Sequence, residues 1–193
     1  MGRLILASTS TWRRQLLLDA GIRCETAEPD VVESEIVGKT PIETARLRAE
    51  AKAQAIDRPD SGTIVVGADQ VIDLDGQTIG KPSNDVVWKE RLIALRGRTH
   101  DLTTAVALVD DHGTEVFHVT TKVRFRDDIS DTELDLYIAS GEAKGCAGGY
   151  MVERTGSWLV ESIEGDWLNV LGLPVLDLIG RLRKRGWRLA GGQ

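Results

Sequence analysis

Two long runs, 99–109 and 114–126, stand either side of the polar segment Asp110, Asp111, His112 and Gly113, and they leave few folds open. In the second run Phe117, Val119, Thr121, Val123 and Phe125 fall on one side, and His118, Lys122, Arg124 and Arg126 fall on the other. A period of two with one apolar side belongs to an antiparallel strand buried on one face. The runs therefore predict a central hairpin. Elements of another kind flank it. Leu4, Ile5, Leu6 and Ala7 read as a short buried strand, and 11–20 as a helix with Ser10 as cap and Gly21 as stop. Thr40, Pro41 and Glu43 open a second helix that runs to about Ile56. Residues 63–74 form a long strand turning at Asp75 and Gly76, Asn84 caps a helix reaching Leu95, and Ser130 with Glu133 makes a capping box. A strand over 157–163 and a helix opened by Pro174 follow, before a frayed tail at Ala190, Gly191, Gly192 and Gln193. Such βα units interleaved with a hairpin predict an α/β fold, a mixed twisted β-sheet with surrounding helices rather than a purely parallel one. No repeat, linker or charge block divides the chain, so a single domain over 1–190 is expected.

The chain carries 24 Lys and Arg against 30 Asp and Glu, a net charge of −6. A nucleic-acid binder needs a basic surface to displace counterions, so that class is disfavoured. The longest apolar runs are a handful of residues and cannot span a bilayer. Ser8, Thr9 and Ser10 interrupt the N-terminus before a signal-peptide core forms. A soluble, cytoplasmic protein with no membrane partner is expected. Cys24 and Cys146 lie far apart and read as reduced, partly buried thiols. His100, His112 and His118 fall in the strands and their turn, which disfavours a zinc site or a histidine mechanism.

Three constellations carry chemistry. Ser8, Thr9, Ser10, Trp12, Arg13 and Arg14 stand where a buried strand hands over to a helix, whose free N–H groups and partial positive charge suit phosphate. The arginines match phosphate geometry in a fork; the plainer alternative is a well-capped helix with solvated arginines. Lys52 falls on the small-residue stripe of Ile42, Ala45, Ala49, Ala53 and Ile56, so it either snorkels at the core edge or points into a cleft. Asp69 sits inside a strand, where a buried carboxylate is costly unless it is paired, hydrogen-bonded or metal-bound. Gly67 and Ala68 leave room beside it for a ligand or another backbone. The pleat sends Asp69 and Gln70 to opposite faces unless a bulge intervenes. Lys81, between Gly80 and Pro82, can return a cation to that region, and Glu33 adds a carboxylate in a polar loop where a solvated acid is the ordinary reading. Serine, arginine and lysines with carboxylates and no histidine fit Mg²⁺- or Mn²⁺-assisted phosphate chemistry.

Four stretches in order, LILASTSTWRRQLLLDAGI (4–22), VVGADQVIDLDGQTIGKP (65–82), GCAGGYMVE (145–153) and EGDWLNVLGLPV (164–175), make the chain resemble the Maf family of nucleoside triphosphate pyrophosphatases over essentially its whole length. The resemblance implies an inosine-triphosphatase-like fold with two lobes around a cleft. It implies Asp69 as the catalytic acid residue, accepting a proton from water or holding the metal. Ser8, Arg13, Lys52 and Lys81 match polar positions that would grip the triphosphate. Glu33 matches the family's loop glutamate and would join Asp69 on the metal, although Val32 replaces an acidic residue common before it, and Ala51 stands where many relatives carry Glu.

The family divides at three positions into a dTTP/UTP branch with Arg, Thr and Gln and a 7-methyl-GTP branch with Trp, Gln and Glu. Trp12, Gln70 and Glu153 resemble the second. N7-methylation leaves guanine positively charged, and an indole face attracts such a cation by about 1–2 kcal/mol when desolvated. Glu153 would accept from the guanine N1–H and amine, and Gln70 would add a donor and an acceptor. The expected partner is this small nucleotide, with the choice between monomer and homodimer left open. The rivals are a dTTP/UTP pyrophosphatase and a nucleotide-binding regulator of septum formation, a role attached to the family name.

Overall fold

Leu4–Ala7 (β1) is wholly buried, and Ser10 accepts from the Arg13 amide to start the helix Thr11–Asp19 (α1). In the computed structural model, which describes residues 2–189, Glu25–Ala27 (β2) follows, then a 3₁₀ turn at Glu33–Glu35 and the helix Pro41–Gln54 (α2). Thr40 caps α2 by accepting from the Glu43 amide, with proline opening the helix as its fixed φ favours. Next come Ile64–Leu74 (β3), Gln77–Ile79 (β4), the Asn84-capped helix Asp85–Leu95 (α3), Thr99–Asp110 (β5) and Gly113–Phe125 (β6). Asp131–Ala139 (α4) begins with the capping box of Ser130 and Glu133. Val160–Glu164 (β7), Trp167–Val170 (α5) and Val175–Lys184 (α6) complete the order.

The seven strands form one sheet in the order β2-β1-β3-β5-β6-β7, with β4 paired to the outer part of β3. β1 runs parallel to β2 and β3, and the other pairings are antiparallel, so the sheet is mixed as the sequence pattern predicts. The hairpin of β5 and β6 pairs from Thr99 with Arg124 to Asp110 with Gly113.

The sequence expectation differs from the structure at two places. The strand expected over 157–163 starts only at Val160, because Thr155–Leu159 winds into a 3₁₀ turn first. β2 has three residues and α5 four, too short for a periodic pattern to develop. The frayed tail expected at Ala190 to Gln193 lies outside the described residues.

β3 is long enough to serve two apolar clusters on one face. Ile64, Val66 and Ala68 pack with Leu6, Leu17, Val106 and α6, while Ile72 and Leu74 pack with α3, α4 and the Tyr150–Val152 segment. The opposite face of the sheet carries α2, through Ala45, Ala49 and Ala53 against Ile5, Val65, Val71 and Ala105. Gly67 makes that approach possible: a Cβ there would meet the Ala53 amide nitrogen at 2.7 Å. The room beside Asp69 is thus filled by the backbone of α2.

Candidate active site

β3 runs in unbroken register against β5 from Val65 to Asp73, so no bulge turns Asp69 and Gln70 to the same side. Asp69 lies on the α2 face and is 5% exposed. α2 presents Lys52 to it, itself 6% exposed, because the alanine stripe that carries Lys52 packs flat on the sheet. The Lys52 Nζ donates to Asp69 Oδ1 at 2.8 Å and also lies 3.1 Å from Glu33 Oε1. Lys52 therefore points inward rather than snorkelling, and Glu33 is paired with it while remaining about half exposed. Asp69 Oδ2 is buried with no partner among the described residues, an arrangement costly enough to point to a missing ligand.

The two carboxylates feel opposite balances. Burial pushes the Asp69 carboxyl above its ordinary range, against the pull of Lys52 and Arg13. Burial also pushes Glu33 up, but Lys52, Lys81 and Arg48 together outweigh it and hold Glu33 below its ordinary range. Among the described residues no three His, Cys, Asp or Glu side chains gather at one point. Asp69 and Glu33 still fit a hard divalent ion of the kind that takes one or two carboxylates and fills its shell with substrate phosphate and water. The free Oδ2 is the oxygen available for it.

Ser8 follows β1 and is nearly buried, and its Oγ accepts from the Ser10 amide, leaving its own proton free to donate. Arg13 is less free than a phosphate fork would be. Its Nη1 donates to Ala68 O at 2.8 Å and its Nε to Gly172 O at 3.0 Å, which ties α1 to β3 and to the turn before α6. Burial lowers its pKa, opposed by Asp69 and Glu33. Lys81 is exposed and contributes its field to Glu33 without touching Asp69.

On the other sheet face Gln70 donates to Thr104 Oγ1 at 3.0 Å and to Asn169 O at 2.8 Å. Both amide donors are spent, so only its carbonyl remains for a base edge, where the sequence suggested a donor and an acceptor. Asn169 is fully buried and donates to Leu102 O and Thr121 Oγ1, fixing α5 across β5 and β6. Trp12 leaves 43% of its surface exposed, and the Arg154 guanidinium lies 5.3 Å from its ring centroid. Glu153, beside Arg154, is exposed and near enough to raise the Cys146 thiol, after burial as the larger cause. His100 is packed under Tyr150, with burial pushing it down to about 4, and takes no part in this arrangement.

The family model described as Maf-like protein matches residues 3–185. The chain belongs to the Maf family. A curated relative from Cupriavidus metallidurans, named 7-methyl-GTP pyrophosphatase, is 39% identical over 191 residues, covering 97% of this chain and 96% of its own. One from Bacillus cereus, named dTTP/UTP pyrophosphatase, is 36% identical over 184 residues, covering 95% of this chain and 90% of its own. Among solved structures, the Ham1 protein of Staphylococcus aureus superposes with a TM-score of 0.50 at 15% identity, covering 96% of this chain and all of that one, a likeness of fold alone. In this Maf chain the structure brings Asp69, Lys52 and Glu33 together and ties Arg13 to the adjacent Ala68 carbonyl. Gln70 is set on the far face of the same strand. Sequence reasoning missed Asn169 and Arg154. Asn169 lies within the motif 164–175 and Arg154 immediately after 145–153, so only their neighbours drew attention.

Proposed function

We propose that this Maf-family nucleoside triphosphate pyrophosphatase cleaves 7-methyl-GTP between its α- and β-phosphates, giving 7-methyl-GMP and pyrophosphate, with Mg²⁺ or Mn²⁺ held by Asp69 and Glu33. The observation that carries the reading is the buried Asp69, with one oxygen fixed by Lys52 and the other without a partner. That free Oδ2 has one role at a time, holding the ion or taking a proton from the attacking water, while Lys52 keeps the carboxylate in place. A divalent ion, when bound, polarises the phosphoryl oxygens. Lys81 and the Ser8 hydroxyl donate to the triphosphate and offset the charge on the departing pyrophosphate, while Lys52, expected from the sequence to grip the phosphates, is committed to Asp69, Glu33 and the Ala68 carbonyl and adds only its field. Arg13 acts mainly by holding α1 against Ala68 and Gly172, so the start of the helix faces the phosphates in a fixed position.

Trp12, Glu153 and the Gln70 carbonyl support the choice of base, as does the relative from Cupriavidus metallidurans. The reading goes with a cytoplasmic site of action; among the described residues no helix is long and apolar enough to cross a membrane. The experiment is pyrophosphate release from 7-methyl-GTP, GTP, dTTP, UTP and ITP with each metal in turn. Selectivity for 7-methyl-GTP is expected. Preference for dTTP and UTP keeps the reaction and overturns the base assignment, and binding without release favours a nucleotide-sensing regulator.

A further inference from the structure

Trp12 offers its ring on α1, yet a planar cation of the chain already rests on it. The Arg154 guanidinium, 5.3 Å from the ring centroid, is within the range at which a cation is drawn to an indole face. Among the described residues this guanidinium has no carboxylate within 4.0 Å and no side-chain hydrogen bond. Its backbone is held, since the Arg154 amide donates to Met151 O at 3.2 Å and its carbonyl accepts from the Ser157 amide at 2.9 Å. Arg154 follows Val152 of the second apolar cluster, whereas α1 belongs to the first, so the contact joins the two.

We propose that Arg154 is a specificity-determining residue that sets how strongly the site separates a cationic base from a neutral one. The inference rests on the reading of Trp12 as the base-stacking residue. A base arriving at Trp12 either displaces the guanidinium or slides beneath it. In both cases the positive charge stays close, because the backbone that bears it is fixed. Neutral guanine accepts this neighbour, since a guanidinium stacks on aromatic faces. The positively charged 7-methylguanine ring is repelled. Arg154 therefore opposes Glu153 and the indole, and the preference for the methylated base is lower than those two would produce alone. Its attraction for the phosphates is the same for both nucleotides and cancels in their ratio.

The test is calorimetric titration of 7-methyl-GMP and GMP against the wild type, Arg154→Gln and Arg154→Lys, which needs no turnover. Arg154→Gln is expected to raise the affinity ratio of 7-methyl-GMP to GMP about three- to tenfold, as for two unit charges a few ångströms apart in a largely solvated site. Arg154→Lys keeps the ratio near that of the wild type, and the gain in Arg154→Gln shrinks as salt rises. An unchanged ratio in Arg154→Gln with both nucleotides bound overturns the proposal and leaves the proposed function standing. A shifted ratio in a protein that hydrolyses dTTP best upholds Arg154 and overturns the substrate. A wild type that binds neither purine nucleotide overturns both. A shift that persists undiminished in the Trp12→Ala background also overturns the proposal, because the charge would then act somewhere other than at the ring.

Discussion

Lys52 joins both carboxylates of the site, its Nζ 2.8 Å from Asp69 Oδ1 and 3.1 Å from Glu33 Oε1. The pair with Asp69 is buried, so removing the lysine leaves Asp69 an uncompensated charge, a loss of about 3–5 kcal/mol. Lys52→Met is expected to fall by about 3 kcal/mol in urea unfolding and to stop pyrophosphate release. Removing both charges in Lys52→Met with Asp69→Leu recovers most of the stability and none of the activity. A Lys52→Met protein as stable as wild type would show that the pair is open to solvent.

Asp69→Asn separates the catalytic from the structural role. Turnover is expected to drop at least about 100-fold, the scale of a lost general base, with nucleotide still bound. Stability moves the other way. Because folding raises the Asp69 pKa, mainly through burial, its ionised form costs stability at every pH above its folded value. Glu33 still pairs with Lys52 at 3.1 Å in Asp69→Asn, so no uncompensated charge is left and this variant melts above wild type at neutral pH. The difference closes as the pH falls through that raised pKa and wild-type Asp69 takes up a proton. A gap that widens in acid would reverse the assignment of burial as the dominant cause.

The fold was legible in the sequence wherever a pattern had room to repeat. β5 and β6 have twelve and thirteen residues, and α2 and α4 announce themselves through Thr40 and Ser130. β2 and α5 were not legible because their three and four residues hold less than two periods of any pattern. The site divides in the same way. Asp69 stood out because an acid inside an apolar strand is costly wherever it is found. The Lys52 partnership needed the crossing of α2 over β3, a tertiary fact. Gln70 could be assigned a face but not a partner, since Asn169 reaches it from 99 residues away.

Gly67 reports on that crossing. A side chain there would press on the Ala53 amide and the rest of the α2 backbone, so Gly67→Ala is expected to cost about 1–3 kcal/mol by overpacking. Lys52 moves with α2, so turnover falls as well, while the relative affinity for 7-methyl-GMP and GMP stays put. Thermal melts, release rates and the same titrations check this. Unaltered stability would mean that α2 can shift freely on the sheet.

Glu153→Gln keeps the shape of the side chain and removes its charge. The ratio of kcat/KM for 7-methyl-GTP to that for GTP is expected to fall about tenfold, the effect of one ion-assisted contact made to the cationic base. Glu153 is exposed, so stability should stay within about 0.5 kcal/mol of wild type. A ratio left as it was removes Glu153 from base selection.

Gln70→Glu tests whether the amide donors are committed inside the protein. The native side chain donates to Thr104 Oγ1 and Asn169 O, and the second of these can only accept. A carboxylate in that place sets acceptor against acceptor in a half-buried position, at a cost of about 1–3 kcal/mol. The introduced acid regains a donor only when protonated, so its pKa is raised by folding. The variant is therefore destabilised at neutral pH and recovers toward wild type as the pH falls through that raised value. Unfolding measured at both ends of that range decides the matter. Equal stability of the two proteins at neutral pH would mean that Gln70 turns its amide outward, leaving both donors free for a base.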